Sequence, residues 1–307
     1  VVAAVSHLLL PAPASTRPTM NPQINYTPQQ QMGYGGYSVP CRTGNWAEDE
    51  YLGVLNTQEH FAKEATGMLA SQKLSTFLGT AMTPVTLSPA PGGPDFAVRF
   101  GDRVMLSAAS GGVVAIDSSN RSELPQESYI VTRTTQAAAV PCTRTAWTIT
   151  PVAEGGPPPE DGMLRFGMAF ALAATANDGT TLYLQSQRYT LHNQNYAGTG
   201  GSGAGVVVVP KLSADTMWKV AVLDPTDLAQ LGSRGQPVPA NTFIQLTHCN
   251  TCINLFTSEK VVKNKFNGEF LVSAHTATSI VKGIMCKRTG SPVDVGNHFA
   301  FTTAEAA

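Results

Sequence analysis

Charged residues are scarce in this sequence of 307 residues. They make up 13% of the chain, about half the share found in an ordinary soluble domain. Neither sign is in excess, with 20 basic and 21 acidic residues, so we expect no attraction to nucleic acid or to an anionic membrane. So few charges indicate either a secreted protein or a protein whose surface is largely covered by partners.

Cysteine and long apolar runs are also sparse. The five cysteines are an odd, thinly spread set, whereas a secreted disulfide framework is usually even and dense. The apolar stretch from Val1 to Leu10 is too short to span a bilayer. It lacks a starting Met and a basic n-region, so we interpret residues 1–19 as an extension upstream of a natural start at Met20.

Motifs for metal binding and catalysis are incomplete. The pair Cys249 and Cys252, preceded by His248, has no second CxxC, and only His275 and Cys286 could complete a zinc site. Strand-like flanks disfavour a redox site, which normally begins a helix. We interpret these as ordinary core or turn cysteines. No Gly-X-Ser-X-Gly or P-loop motif occurs, so we expect no enzyme activity, no cofactor and no metal.

Six isolated charged residues receive structural interpretations. Three carboxylates are interpreted as separate loop residues without an acid–base partner: Asp161, Asp178 and Glu269. Three cations are interpreted as solvated strand-edge charges, with contact to an acidic partner surface as the alternative: Arg99, Arg103 and Arg165.

Residues 1–41 are predicted to form a disordered or extended arm. From Met20 to Cys41 the chain is rich in Gln, Asn, Tyr and Gly and has too few apolar residues to build a core. Tyr26, Tyr34 and Tyr37 could anchor this arm to a partner by folding on binding. A flexible tail that binds no partner is the alternative.

Residues 42–83 are predicted to be helical. Asn45 is a good N-cap with Glu48 in capping-box spacing, and apolar residues then recur at helical intervals. Gly53 and Asn56 indicate a break into two helices. Trp46 either staples the helix to the following domain or anchors it to a partner. Residues 84–95 form a Pro/Gly linker.

Residues 96–303 contain an internal repeat of strand-like runs. Each of three units opens with Gly101, Gly167 or Asn241, followed by apolar residues at alternate positions. The next runs are Val114–Ile116 and Tyr129–Val131, Leu182–Leu184 and Val206–Val209, and Ile253–Leu255 and Phe270–Val272. A fourth run closes each unit with an aromatic residue expected in the core: Trp147, Trp218 or Phe299. Three four-strand units that bury their apolar faces together predict a mainly β fold, the β-trefoil.

Several stretches resemble the cilia- and flagella-associated protein 161 family. The most specific is Arg42–Leu52, because that family opens with Gly-Asn-Trp, an acidic pair, Tyr and Leu. Weaker similarities are Phe100–Leu106, Leu164–Gly167, Pro237–Asn241, His248-Cys249, Ala274–Thr276 and Asn297–Phe299. The resemblance covers roughly Arg42 to Thr302.

The resemblance implies a trefoil similar to MIR domains and a structural role in motile cilia and flagella. It implies a place in the axoneme, inside the A-tubule lumen of doublet microtubules, with α- and β-tubulin and neighbouring microtubule inner proteins as partners. Together with the tyrosine-rich arm it marks seven candidate partner-binding residues: Tyr26, Tyr34, Tyr37, Trp46, Glu48, Asp49 and Tyr51.

A sugar-binding lectin is the alternative from another class, since trefoils often bind glycans in shallow pockets. A lectin would repeat an exposed aromatic residue with an Asp or Asn partner in each unit. Tyr183 and Tyr189 occur in the second unit only.

Overall fold

The computed structural model describes residues 46–89, 96–122, 128–135, 139–153, 156–157, 159–186, 204–224, 226–275 and 294–304. For residues 46–48, 120–122 and 204 it describes the backbone alone. The chain divides into two compact units, one ending at Leu69 and the other beginning at Ala70.

Helix α1 (Trp46–Ala65) occupies the described part of the first unit. It runs through Gly53 and Asn56 without interruption, so the predicted break at these residues is wrong. A glycine inside a helix costs about 1 kcal/mol relative to alanine but removes no backbone hydrogen bond. The helix ends before Gly67, whose φ of +70° is unfavourable for residues with a Cβ. A second helix follows, as predicted, but the break between the two helices lies more than ten residues later than the sequence indicated.

Helix α2 (Ala70–Ala81) belongs to the second unit and contacts the turns that connect its strands. The ring of Phe77 lies 5.7 Å from that of Phe266, and the Asn177 side-chain amide donates to the Phe77 carbonyl at 3.4 Å. At the end of the helix, the buried Ala81 accepts a hydrogen bond from the Arg144 amide through its carbonyl.

In addition to α2, the described residues of the second unit form twelve strands and a short α-helix, α3 (Asp227–Ser233). The strands are β1 (Arg103–Ala108), β2 (Val114–Ser122), β3 (Ser128–Arg133), β4 (Ala146–Pro151), β5 (Ala169–Thr175), β6 (Thr181–Ser186), β7 (Ala204–Val209), β8 (Trp218–Ala221), β9 (Phe243–His248), β10 (Leu255–Asn264), β11 (Asn267–Ala274) and β12 (Phe299–Thr302). Each coincides with or overlaps one of the runs read from the sequence, which confirms a mainly β fold.

Six of these strands close into a barrel. Antiparallel pairing runs from β1 to β4, β5, β8, β9 and β12, and β12 pairs with β1 again. Inward-facing apolar side chains such as Leu106, Leu172 and Leu246 fill the barrel and are fully buried. Closure leaves these strands without an unpaired edge, which protects them from pairing with other chains.

The other six strands form three hairpins: β2–β3, β6–β7 and β10–β11. Their second strands also pair with one another, β3 with β7, β7 with β11 and β11 with β3. The hairpins therefore meet as a second layer beside the barrel.

The three turn residues that open the units adopt the left-handed conformation. The φ angles of Gly101, Gly167 and Asn241 are +89°, +79° and +56°. Their amides donate to the corresponding carbonyls of the closing strands, which are those of Ile149, Val220 and Phe301. The interpretation of these positions as equivalent turns is confirmed.

The closing aromatic residues occupy equivalent places in the core. Trp147, Trp218 and Phe299 are fully buried, as expected. They lie opposite Val104, Phe170 and Ile244 in the barrel ladder.

The two indoles also make equivalent hydrogen bonds. Trp147 Nε1 donates to the Val114 carbonyl at 3.0 Å, and Trp218 Nε1 donates to the Leu184 carbonyl at 2.9 Å. In the third unit, where the aromatic residue is a phenylalanine, Asn297 Nδ2 donates to the Leu255 carbonyl at 2.6 Å. A donor from each closing segment thus bonds to a carbonyl in the first strand of a hairpin.

Candidate functional site

The candidate partner-binding residues fall into three groups. Tyr26, Tyr34 and Tyr37 lie outside the described residues. Trp46 and Glu48 lie in α1, but their side chains are outside the described part. Asp49 and Tyr51 lie in the first turns of α1 with exposed side chains.

The α1 face is a stripe of exposed apolar side chains that the sequence analysis only partly identified. It consists of Tyr51, Val54, Leu55 and Phe61, spaced so that they fall within roughly 120° of the helix circumference. Tyr51 is 64% exposed and Phe61 is 61% exposed. Four large apolar side chains on one side of a helix usually mark a surface that another protein covers.

The opposite side of α1 is polar. Asp49, Asn56, His60 and Lys63 follow one another along it, and Lys63 pairs with Glu59 at 3.0 Å one turn away. Such an amphipathic helix can lie in an apolar groove of a partner while its polar side faces water.

The sequence His248-Cys249-Asn250-Thr251-Cys252 forms the turn after β9. His248 is buried, and its Nε2 lies 2.9 Å from the Asp215 carbonyl, an acceptor, so Nε2 carries the proton. Nδ1 then accepts from the Thr251 amide at 3.3 Å. Because both ring nitrogens are engaged within the fold, a metal would have to displace one of these bonds.

The environment of Cys249 makes its thiol less reactive, whereas Cys252 is exposed. Burial raises the pKa of Cys249 above its ordinary value, which lowers the thiolate fraction at neutral pH. Burial likewise lowers the pKa of His248. Within the described ranges, no group of three or more His, Cys, Asp or Glu side chains could hold a metal ion. Cys286 lies outside those ranges.

Glu269 is not an isolated loop carboxylate, so that interpretation is wrong. It lies in β11, buried, and both of its oxygens receive hydrogen bonds from the Arg144 guanidinium at 2.8 and 2.7 Å. Thr132 and Asn264 donate to the same carboxylate. Burial alone would raise the pKa of Glu269, but the hydrogen bonds and charge of Arg144 outweigh it and the pKa is lowered. The sequence offered no signal for a pair 125 residues apart.

The other charged residues lie at the surface, and two of them, Asp161 and Arg165, form an ion pair, so the interpretation of Asp161 as isolated is also wrong. Asp161 accepts from the Met163 amide and from the Arg165 guanidinium, and these contacts lower the pKa of Asp161. Arg99 and Arg103 are exposed. Asp178 lies in the β5–β6 turn, where it accepts from the Thr180 amide at 3.0 Å.

A groove of about 380 Å³ lies on the outer wall of the barrel, over β1, β4, β5 and the start of β6. Tyr183, one of the two tyrosines of the lectin alternative, lines it, whereas Tyr189 lies outside the described residues. The described lining contains neither Asp nor Asn. Sequence reasoning did not identify this groove, because small residues such as alanine and threonine give no signal of a cavity.

The comparison with known families identifies the chain. Residues 112–289 match the family described as Cilia- and flagella-associated protein 161-like domain. The chain belongs to this family, so it is a cilia- and flagella-associated protein, as the resemblance predicted. It is 28% identical over 256 residues to Cilia- and flagella-associated protein 161 of Bos taurus, an alignment covering 78% of this chain and 76% of the bovine protein.

Two solved structures are distantly similar. The SDF2-like protein of Arabidopsis thaliana has a TM-score of 0.46 and 14% identity, over 66% of this chain and 93% of that one. A Caenorhabditis elegans protein of unknown function has a TM-score of 0.49 and 14% identity, over 71% of this chain and 100% of that one. Both similarities are weak.

Among the described residues, no helix combines the length and the apolar character needed to cross a membrane.

Proposed function

We propose that this chain is a structural microtubule inner protein of motile cilia and flagella. It binds α- and β-tubulin in the lumen of the doublet A-tubule, contacts neighbouring inner proteins, and stabilises the axoneme for ciliary motility. It carries out no reaction and needs no cofactor, and neither nucleic acid nor membrane is among its partners.

The observation that carries this proposal is the exposed apolar α1 face in a member of a ciliary family. Burying a large apolar side chain contributes about 1.5–3 kcal/mol. A helix that leaves Tyr51, Val54, Leu55 and Phe61 in water gains this energy when a partner covers them. For a structural protein bound to the microtubule lattice, the lattice is such a partner and stays in contact permanently.

The charge balance supports a position inside the microtubule rather than on its outer wall. The outer wall carries the acidic C-terminal tails of tubulin, which attract basic proteins by long-range steering. With 20 basic and 21 acidic residues, this chain gains little from the tails. Contacts through shape, hydrogen bonds and apolar surface suit the lumen, which lacks the tails.

We further propose that the barrel and its three hairpins form a MIR-like β-trefoil. Equivalent left-handed turns, equivalent closing residues and the cyclic pairing of β3, β7 and β11 support this assignment. A glycan-binding module is the weaker alternative, because Tyr183 has no Asp or Asn beside it in the groove lining.

The α1 face is tested by incorporation of full-length variants into axonemes. Val54→Glu and Phe61→Glu place a charge in the apolar stripe and should reduce incorporation roughly ten- to hundredfold for each side chain lost. Asn56→Glu, on the polar side of the same helix, is the matched control and should incorporate normally. Equal incorporation of all three variants would reject the role of the α1 face.

The lumenal position is tested on isolated doublets. Removing the tubulin tails with subtilisin, or washing with high salt, should leave the protein in place, since apolar contacts are weakly screened by salt. Release should require dissolving the doublet wall. Loss of the protein after either mild treatment would identify an outer-surface protein instead.

A further inference from the structure

The groove over β1, β4 and β5 lies on one of three barrel walls that are built from equivalent positions. On the wall formed by β9, β12 and β1, the hydroxyls of Ser107 and Thr302 bond to each other at 2.6 Å. On the wall formed by β5, β8 and β9, Thr247 donates to the Asn254 side chain at 2.7 Å. On both walls, polar side chains that face outward satisfy one another.

Ala173 breaks this pattern on the third wall. It occupies the position equivalent to Ser107 and Thr247. In each unit, one strand residue lies opposite the closing aromatic residue, and Ser107, Ala173 and Thr247 each follow that strand residue by three positions. A methyl group supplies no hydrogen bond and leaves space above it. The groove of about 380 Å³ lies there, with Ala146 and Ala173 in its floor.

Most of the threonine hydroxyls around this floor have no partner among the described residues, whereas that of Thr143 donates to the Thr83 carbonyl at 3.3 Å. Thr148, Thr150, Thr175 and Thr181 line the groove, and none of them makes a side-chain hydrogen bond to another described residue. These hydroxyls can donate to carbonyl or carboxylate oxygens that enter the groove.

One charged side chain lines the groove. Arg103 stands at its edge, and the described lining contains no carboxylate. Its backbone is held by Ser88, whose amide donates to the Arg103 carbonyl at 2.8 Å and whose hydroxyl accepts from the Arg103 amide at 2.9 Å. No described residue forms an ion pair with its guanidinium. The groove is thus a site for hydrogen-bond acceptors that carry negative charge.

We propose that this groove binds a short extended acidic loop of tubulin. A carboxylate of the loop pairs with Arg103, and the threonine hydroxyls donate to that carboxylate and to main-chain carbonyls. The inference rests on the proposed function for the identity of the partner and extends it by naming a second contact surface, separate from the α1 face.

Binding of the full chain to tubulin whose tails have been removed with subtilisin tests the proposal, because tail removal excludes the obvious acidic competitor. Arg103→Glu should raise the Kd at least tenfold. Ala173→Leu, which fills the floor without changing charge, should do the same. Lys219→Glu is the matched control, since it makes the same charge change on the neighbouring barrel wall and should alter the Kd by less than twofold.

The outcomes distinguish the two proposals. If the wild-type chain does not bind tail-free tubulin, the proposed partner is rejected and the groove proposal with it. If the wild-type chain binds and both groove variants bind within twofold of it, the groove proposal alone is overturned. Thermal unfolding of each variant shows that it is folded, and Arg103→Glu, at an exposed position, keeps the test informative even where Ala173→Leu does not fold.

Discussion

Replacing Trp147 or Trp218 tests whether the closing residues act as equivalent parts of one core. Both indoles are fully buried, and each donates to the carbonyl of a hairpin strand. Truncating a buried tryptophan to alanine costs about 3–5 kcal/mol. For a unit of this size, 1 kcal/mol corresponds to about 2–4 °C, so we expect the unfolding midpoint to fall by about 6–20 °C.

A phenylalanine at the same positions separates the hydrogen bond from the packing. Trp147→Phe and Trp218→Phe retain most of the apolar volume but leave a buried carbonyl without its donor, which costs about 1–3 kcal/mol. In the third unit Phe299 is the natural residue and Asn297 supplies the donor. Asn297→Ala should therefore destabilise the chain by at least as much, because its amide serves the carbonyls of both Leu255 and His275.

Thermal and urea unfolding followed by far-ultraviolet circular dichroism measures these differences without depending on tryptophan emission. Tyr51→Ala is the control, since this exposed aromatic residue should contribute within about 0.5 kcal/mol. If Trp147→Ala unfolds within about 1 kcal/mol of the wild type, the closing residues do not hold the core and the reasoning from the repeat is wrong.

Three further outcomes are expected from the same unfolding measurements. Glu269→Gln should cost about 3–5 kcal/mol, because it leaves the Arg144 guanidinium buried without its counter-charge, and a small effect would mean that water reaches the pair. Gly112→Ala should lower the free energy of unfolding by more than about 4 kcal/mol, because a Cβ would lie 1.9 Å from the Thr134 carbonyl oxygen. Gly101→Ala should lower it by only about 1–2 kcal/mol, because Gly101 also has a positive φ but has open space around it. Burial lowers the pKa of His248 in the folded state, so the contribution of His248 to the free energy of unfolding is fully present above pH 6.5 and decreases as the pH falls towards the folded-state pKa. His248→Gln should therefore make the free energy of unfolding less dependent on pH below 6.5. An unchanged slope would contradict this.

Strand positions were predictable because their signals are local. Alternating apolar residues such as Val104 and Leu106 follow directly from one face of a strand being buried. Gly101 and Gly167 mark turns because a left-handed backbone excludes most side chains. The equivalence of Leu182 to Val114, in contrast, was off by two residues. The indole of Trp218 bonds to the Leu184 carbonyl, because β5 and β6 pair with each other before that residue, from Thr175 opposite Thr181 to Ala173 opposite Tyr183, and this pairing gives no local signal.

The helix break was mispredicted for a different reason. Gly53 and Asn56 lower helix propensity, but a single unfavourable residue does not outweigh the hydrogen bonds on either side of it. Thr57 also donates to the Gly53 carbonyl at 2.8 Å, which keeps that turn closed. Helix α1 ends before Gly67 because the φ angle of Gly67 is positive, whereas helical residues have a negative φ.

The sequence by itself determined the number and order of the strands, the three opening turns, the buried closing aromatics and the family. Each of these depends on residues close together in the chain, where periodicity and backbone conformation leave a direct trace. The tertiary structure alone decided where the outer face of the barrel opens into the groove beside Ala173. It also decided that Arg144 and Glu269 meet in the interior. Such features arise between segments far apart in the chain, so the groove beside Ala173 can be recognised only when the neighbouring strands are known.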